Sequence, residues 1–573
     1  MGEHVTRRQA DTAKSWRPDS ARRRASAERR EFPAWRQFRE IAGRPAWRTG
    51  LLIAVMAIGA LGLVFAWATA SPAGSSPDED FHLVSSWCPQ PLDRHCDTRL
   101  NDHGRREVLV PQTVAQAPLC YRFDARNSAA CTLELSDDLV WSHRVDHGNY
   151  PGGFYPVMHL LTGDNVFRSV VAMRLVNGIL FFGLMAALAL CLDGKGRRLL
   201  TYALLATSVP FVLSLLPAAN PSSWAITGVV TAFVGGYAAF QAASRAKRWT
   251  AVGLALFGAL LAVVSRADSA AFTGIVGLVL VIMHFDKVRK HPWILWALGA
   301  IMAAGLLVVV TSDQAAVLLT GWTSGWRAEE YGADALLWNN LTQFPYLLLG
   351  FALAPLNWLD TPMPSGVWVP VIALAGALAF RGLGHNNWRK TLSLAGLLAL
   401  MVVIPLYVLH LSGEVVGHQV QARYFLPLVP VIMWLLLWNP RTGGTFRLSR
   451  VHTVLVYVGL VGAQAIALHT QIRRFTTGLQ GGFTGLGPGV VTFLTPFDLG
   501  RDVQWWHSGP SPMATWVIGS LGFALLALAL FAVSARSASA SVVTAGAVDA
   551  KAVTARAVGE EPVHDNGMDP VAL

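Results

Sequence analysis

Residues 50–70, GLLIAVMAIGALGLVFAWATA, form an unbroken apolar run that is long enough to cross a lipid bilayer as a helix. The chain has 573 residues, of which 53% are hydrophobic and only 14% are charged. Soluble proteins carry about 25% charged residues. Too few charges are therefore present to coat several soluble domains, and too many apolar side chains are present for a largely disordered chain.

Apolar runs recur along the rest of the sequence and predict an all-α, polytopic integral membrane protein of about 12 transmembrane helices. After 50–70 they lie at about 171–192, 198–217, 223–243, 250–265, 270–285, 292–311, 366–381, 391–411, 424–438, 451–470 and 514–534. The stretch 341–356 is also apolar, but counting it as a crossing would move the basic loop around Arg389 to the opposite side. We therefore expect a re-entrant or interfacial helix there.

The distribution of charge predicts the orientation. Of the formal net charge of +11, residues 1–49 hold 13 basic and 6 acidic side chains, so the excess lies mainly in this tail. With twelve spans, the basic connections fall on the same side as the tail, which is the cytoplasmic side. The sequence thus predicts a cytoplasmic, disordered tail at 1–49, a membrane domain at 50–535 and a cytoplasmic tail at 536–573. It gives no reason to propose nucleic acid as a partner.

Three long segments face outward in this arrangement: 71–167, 312–365 and 471–513. The first holds four of the five cysteines, namely Cys88, Cys96, Cys120 and Cys131. Four cysteines in one outward loop indicate two disulfides in an oxidising compartment, with three pairings possible. A zinc site that includes His95 and His103 is the alternative, although the spacing matches no strong zinc pattern. In the third segment, Trp505 and Trp506 are typical of aromatic anchors at the membrane interface. Stacking on a sugar ring or covering a lipid chain is the alternative.

An acidic motif follows the first apolar run directly. Ser76-Pro-Asp-Glu-Asp-Phe-His82 brings together Asp78, Glu79, Asp80 and His82. Crowded carboxylates raise one another's proton affinity or attract a cation. The cluster therefore suits a general base or a site for a divalent cation, Mg²⁺ or Mn²⁺. A solvated interfacial loop is the alternative interpretation.

A second motif, His418-Gln-Val-Gln-Ala-Arg-Tyr-Phe-Leu-Pro427, places Arg423 at the outer start of the tenth predicted span. The preference of basic residues for the inner side does not explain an arginine here. A guanidinium can bind phosphate through two parallel hydrogen bonds. Snorkelling toward lipid head groups is the alternative, but the polar neighbours His418, Gln419 and Gln421 favour a binding site.

Further polar residues gather at the predicted outer ends of the spans. They are Tyr150 and Tyr155 in Asn149-Tyr-Pro-Gly-Gly-Phe-Tyr-Pro156, Arg174 and Asn177, Asn220, Asp360, and the pair Arg266 and Asp268. We expect the last two to form a simple ion pair. A cavity that opens outward would collect the others into one site.

The joint order of four motifs resembles a bacterial family of polytopic membrane proteins known as domain-of-unknown-function family 2142. The motifs are Pro-Asp-Glu-x-x-His at 77–82, Asn-Tyr-Pro-x-x-x-Tyr at 149–155, Trp-Leu-Asp-Thr-x-x-Pro at 358–364 and Val-Gln-x-Arg-Tyr-Phe-Leu-Pro at 420–427. The resemblance covers roughly residues 50 to 535. One departure is Ala422, where glycine is expected before Arg-Tyr.

That family in turn resembles the GT-C class of glycosyltransferases, whose acidic catalytic residues lie in the first outward loop. The resemblance implies a bacterial plasma-membrane enzyme with a GT-C-like fold, a polyprenyl-phosphate-linked sugar donor and a cell-envelope glycan or glycolipid acceptor. It implies Asp78 or Glu79 as the base, with Asp80 and His82 in support or holding a metal, and Arg423 on the lipid phosphate. The implied pocket consists of Gln421, Tyr424, Tyr150, Tyr155, Asn220 and Asp360.

Two other functions fit the same sequence. A transporter or flippase of a lipid-linked glycan would also have twelve spans, although the repeated halves of many transporters are not evident. A scaffold subunit of a cell-envelope complex is supported by nothing specific.

Overall fold

The first apolar run lies in helix α1, which extends from Ala46 to Thr69 in the computed structural model. The structure describes residues 46–290, 326–418, 420–479 and 509–557, together with short pieces between 291 and 310 and between 481 and 500. Residues 54–573 form one compact unit.

The chain is mostly helical. Up to residue 290 the helices after α1 are α2 (Glu79–Trp87), α3 (Gln112–Gln116), α4 (Phe154–His159), α5 (Val166–Cys191), α6 (Gly194–Ser208), α7 (Phe211–Leu215), α8 (Pro221–Gln241), α9 (Arg245–Val263), α10 (Ala267–Met283) and α11 (Phe285–Lys290). From residue 326 they are α12 (Trp326–Tyr331), α13 (Ala333–Gln343), α14 (Pro345–Leu348), α15 (Gly350–Leu353), α16 (Ser365–Leu383), α17 (Trp388–Ser412), α18 (Val429–Leu437), α19 (Arg450–Thr476) and α20 (Pro512–Ala557).

Eight helices in the described part of the chain are long and apolar enough to cross a membrane. They are α1, α5, α8, α9, α16, α17, α19 and the first half of α20, and each coincides with a predicted span. Their apolar side chains are often left uncovered by protein, as in Leu260 (55% exposed), Val403 (62%) and Phe380 (82%). Large apolar side chains in this number are stable only in contact with lipid.

The other four predicted spans differ from continuous membrane-length helices. The span 198–217 is divided into α6 and α7 around Pro210, since proline interrupts the hydrogen bonds of a helix. The span 270–285 corresponds to α10, of 17 residues, and the span 424–438 to α18, of only 9. Most of the span 292–311 lies outside the described residues. The stretch 341–356 is not one helix, since it consists of the end of α13 followed by α14 and α15.

Side chains satisfy the backbone where the chain is irregular between α7 and α8. The amide of Asn177 donates to the carbonyl of Ala218 at 2.8 Å, and the hydroxyl of Ser223 donates to the carbonyl of Leu216. Asn220 caps α8 by accepting from the backbone N–H of Ser222. Irregular backbone at membrane depth is tolerated only with such internal partners, so the break is a built feature.

The segment between α1 and α5 contains a three-stranded antiparallel sheet, which corrects the all-α expectation. Strands β1 (Thr98–Leu100), β2 (Arg106–Pro111) and β3 (Leu139–Ser142) pair in that order. From Val108 to Pro111, strand β2 alternates buried and partly buried positions, with Val108 and Val110 buried, a period that suits a strand. A second pair, β4 (Gly481–Gly482) and β5 (Thr492–Phe493), lies between α19 and α20.

Two disulfides staple this first segment, Cys88–Cys96 and Cys120–Cys131. The prediction of two disulfides is thus confirmed, and one of the three possible pairings is selected. The zinc interpretation is wrong, because the four sulfur atoms are bonded in two pairs and are not free to bind a metal. Closing short loops reduces the freedom of the unfolded chain, which stabilises the folded segment.

Glycines allow α8 and α9 to pack closely. A Cβ atom added to Gly258 would lie 2.6 Å from the backbone nitrogen of Ala232 and 2.7 Å from the carbonyl oxygen of Gly228. Without a hydrophobic drive between membrane helices, such close backbone packing is a main source of their association. Helix α8 is almost entirely buried.

This contact gives a test of the packing. Gly258→Ala should lower the melting temperature of the protein in detergent, because overpacking costs about 1–3 kcal/mol. Gly253→Ala is the matched control on the same helix, since nothing lies within 4 Å of its added Cβ. Equal melting temperatures for the two variants would show that the α8–α9 contact does not carry stability.

Candidate functional site

The three consecutive carboxylates of the acidic motif have three different environments. Helix α2 begins at Glu79, directly after Asp78, whose backbone lies in the left-handed region with φ 57°. The side chain of Asp78 is 43% exposed, whereas those of Glu79 and Asp80 are 0% and 1% exposed. Only Asp78 can meet a ligand without a rearrangement.

Glu79 is fixed to the membrane helix α5. Arg174 donates to both of its carboxylate oxygens, from Nε at 3.1 Å and from Nη2 at 2.6 Å. The backbone N–H of Ala219, in the irregular segment before α8, also donates to Glu79 at 3.0 Å. The same guanidinium donates to the carbonyls of Ala68, Ser71 and Pro72, which terminate α1. One buried ion pair therefore joins α1, α2, α5 and the start of α8.

Asp80 is fixed to the loop that carries the sheet. Arg144 contacts its carboxylate from Nε at 2.7 Å and from Nη2 at 2.8 Å, and Arg122 contacts it at 3.3 Å. Its remaining lone pairs accept the backbone N–H of Phe81. A carboxylate with this number of partners serves to position the loop.

Asp78 meets Arg423, the arginine that the sequence singles out, across 345 residues of chain. Nη2 of Arg423 lies 2.5 Å from Oδ2 of Asp78, and the arginine side chain is only 5% exposed. The structure thus brings together the two residues that the sequence predicts as base and phosphate ligand. Arg144 lies 4.0 Å from the other oxygen of Asp78.

A second arginine flanks the pair. The guanidinium carbons of Arg266 and Arg423 lie 5.0 Å and 5.1 Å from the centre of the Tyr424 ring. Cations over an aromatic face are stabilised by its quadrupole, so the ring holds two like charges near each other. Arg266 is paired side-on with Asp268 at 2.9 and 2.7 Å, which confirms the predicted ion pair.

Aromatic side chains enclose His82 beneath this surface. Its Nδ1 lies 2.9 Å from the hydroxyl of Tyr155, and its ring packs edge-on against Tyr150 at 5.3 Å. Tyr155 is buried and Tyr150 is half-buried. These two predicted pocket residues therefore form the wall behind the acidic motif.

The charges determine the protonation states. Burial would raise the pKa of Asp78, but the positive charge and hydrogen bond of Arg423, with further charges such as that of Arg144, lower this pKa to about 2. Burial lowers the pKa of His82 to about 3, against the attraction of Asp78. At neutral pH, Asp78 is therefore an ionised carboxylate and His82 a neutral ring.

Three other predicted pocket residues have partners other than Asp78. Asn220 is fully buried and donates to the carbonyl of Pro77, so it holds the loop from behind. Asp360 is paired with Arg474 at 2.8 Å in a separate network that also reaches the carbonyl of Tyr121. Gln421 is half-buried and donates to the carbonyl of His418.

The residues that the structure describes contain no group of three His, Cys, Asp or Glu side chains that could hold a metal ion. The carboxylate of Asp80 is paired with two arginines, and the Nδ1 of His82 is hydrogen-bonded to Tyr155. Neither side chain is therefore available to the divalent cation that the motif suggests. The positive charge of the site comes instead from Arg144, Arg266 and Arg423.

Arg122 and Arg144 are the site residues that the motifs do not reveal. Both lie in the segment between α1 and α5, outside any recognisable pattern. The one available signal is their position in a segment predicted to face outward, where basic residues are not favoured by the orientation rule.

Residues 61–432 match the family model described as Predicted membrane protein (DUF2142). The chain belongs to this family. The match includes all four motifs that carry the predicted resemblance, and the family has no established function. No curated protein and no solved structure matches the chain.

The family motif departs from expectation at Ala422, and the fold accommodates the extra methyl group. A Cβ added to Gly350 would collide with the Cβ of Ala422. Gly350 in α15 therefore leaves the space that Ala422 fills. The short 3₁₀ turn Ala422–Tyr424 keeps the next residue, Arg423, directed at Asp78.

The ion pair of Glu79 and Arg174 should be structural. Glu79→Gln or Arg174→Met should each destabilise the protein by about 3–5 kcal/mol, because each leaves a buried partner uncompensated. The double variant should lose much less than the sum, measured as chemical unfolding in micelles. The partly exposed surface pair Asp124 and Arg126 is the control, and removing it should have no measurable effect. Additive losses for Glu79 and Arg174 would refute the coupling.

Proposed function

We propose that this protein is a membrane glycosyltransferase that moves a sugar from a polyprenyl-phosphate donor to a cell-envelope glycan or lipid acceptor. The observation that carries the proposal is the contact between Asp78 and Arg423. It combines the one accessible carboxylate of the acidic motif with a buried guanidinium at the same place. Transfer of a sugar from a sugar phosphate requires a base for the acceptor hydroxyl and a ligand for the phosphate anion.

The reaction follows from these two side chains. Asp78 removes the proton of an acceptor hydroxyl as its oxygen attacks the anomeric carbon of the donor. The bond between that carbon and the phosphate oxygen breaks, and its electron pair remains on the phosphate. Arg423 stabilises this charge through charge-assisted hydrogen bonds. The products are the glycosylated acceptor, the polyprenyl phosphate and a protonated Asp78, which returns its proton to water.

The other residues have supporting roles in this proposal. Glu79 and Asp80 are engaged by arginines and position the loop, so we assign the base to Asp78 rather than to Glu79. Tyr424 and Gln421 flank Arg423 and form the sugar side of the pocket. The neutral ring of His82 supports the segment from below through Tyr155.

The proposed membrane orientation rests on charge. The basic tail and the basic connections lie on the cytoplasmic side under the positive-inside rule, which puts the acidic motif and the disulfides on the outer face of the bacterial plasma membrane. The donor and the acceptor are then both membrane-bound or envelope components. The lipid chain of the donor lies against the uncovered apolar faces of the helices.

The test is a transfer assay with the purified protein in liposomes, a panel of radiolabelled polyprenyl-phosphate sugars, and envelope glycans as acceptors. Asp78→Asn and Arg423→Ala should each lower the rate at least 100-fold, as loss of a general base or of an oxyanion ligand does. Asp124→Asn, which changes a carboxylate of the same segment that is paired with the exposed Arg126, is the control and should keep the wild-type rate.

Two results would contradict the proposal. Full transfer by both site variants would show that Asp78 and Arg423 are not the reacting groups. Movement of a lipid-linked sugar across sealed liposomes without covalent change would favour the transporter or flippase.

A further inference from the structure

We propose that the contact between Asp78 and Arg423 is an interlock: the arginine holds the carboxylate until a lipid phosphate takes its place, so that the donor binds before Asp78 is released to the acceptor. This inference rests on the proposed function and adds an order of binding to it. It predicts direct competition between one side chain and one ligand for the same edge of a guanidinium.

The edge in question is the side of the guanidinium formed by Nε and Nη2. A planar two-oxygen anion binds an arginine side-on with one hydrogen bond to each of these nitrogens. Arg174 uses both nitrogens on Glu79, and Arg266 uses both on Asp268. In these two ion pairs the edge is filled.

Arg423 differs because its edge is only half used. Its Nη2 contacts Oδ2 of Asp78, while its Nε is buried without a hydrogen-bond partner among the described residues. A buried donor without a partner costs free energy, and an anion with two suitably spaced oxygens would remove that cost. Asp78 therefore occupies one half of a site that a phosphate can fill completely.

Asp78 is also poorly held by its surroundings, so it can leave. It occupies the N-cap position of α2, yet its side chain makes no capping hydrogen bond. Arg144, its other charged neighbour, lies 4.0 Å away and donates from Nη2 to Asp80 instead.

Release changes the chemistry of Asp78 without a large movement. While it is paired, the charge of Arg423 helps to keep the pKa of Asp78 at about 2, which makes the carboxylate a weak base. A phosphate on Arg423 neutralises this charge and adds a negative charge nearby, and both effects raise the pKa. The base thus becomes stronger when the donor is in place, which protects against reaction in its absence.

The first test measures affinity for decaprenyl phosphate with the full chain in nanodiscs. Asp78→Asn should bind about tenfold more tightly than wild type, because the competitor is removed. Asp268→Asn is the matched control: it removes the carboxylate that fills the guanidinium of Arg266, at the same Tyr424 ring, and it should give a much smaller gain. Inorganic phosphate, as a second probe, should show the same preference for Asp78→Asn, since the competition concerns the head group.

The main comparison of the second test uses the wild-type protein, with and without lipid, so that it does not depend on the folding of a variant. Carbodiimides modify protonated carboxyl groups, and the adduct on Asp78 is quantified by mass spectrometry. Labelling at pH 6 should rise severalfold when decaprenyl phosphate is bound. In Arg423→Gln it should be high with or without the lipid.

The outcomes separate this inference from the proposed function. If Asp78→Asn binds no more tightly than wild type, or if Asp268→Asn gains as much, the interlock is refuted while the phosphate site stands. Unchanged labelling on binding of the lipid to wild type refutes it as well. If Arg423→Gln binds decaprenyl phosphate as wild type does, the phosphate role of Arg423 is wrong, and the proposed function loses its support.

Discussion

The buried ion pair between Glu79 and Arg174 is the constraint on which the arrangement of the site depends. Both side chains are almost fully removed from solvent, so each requires the other, and the guanidinium also satisfies carbonyls at the end of α1. Because Glu79 is fixed to α5, its neighbours in the chain have little freedom. Asp80 lies toward the arginines of the sheet-bearing segment, and Asp78 toward Arg423.

Adjacent residues of one chemical type thus have different roles because their partners differ. Glu79 and Asp80 each accept several hydrogen bonds and stabilise the loop, while Asp78 retains an accessible carboxylate. The long-range partner Arg423 comes from a turn before α18, a helix too short to cross a membrane alone. Short and broken helices near the site leave room for polar side chains that continuous helices would exclude.

The long helices and the disulfides could be predicted from the sequence, whereas the details of the site could not, for physical reasons. The eight long apolar helices follow from run length alone, and the two disulfides from the confinement of four cysteines to one segment. The choice of Asp78 over Glu79 could not be predicted, because it depends on Arg174, 95 residues away. Likewise, the half-filled edge of Arg423 is a property of geometry, and Arg144 belongs to no motif. Pro210 is visible in the sequence, but the run around it is apolar throughout, so the sequence predicts one continuous span where the structure has two helices.

The most direct measurement of the central claim is an electron cryo-microscopy structure of the protein in nanodiscs with decaprenyl phosphate bound. The account predicts phosphate density within hydrogen-bond distance of Nε and Nη2 of Arg423, with the carboxylate of Asp78 turned away from that arginine and open to the pocket. Phosphate density elsewhere, or an intact contact between Asp78 and Arg423 beside a bound phosphate, would contradict it.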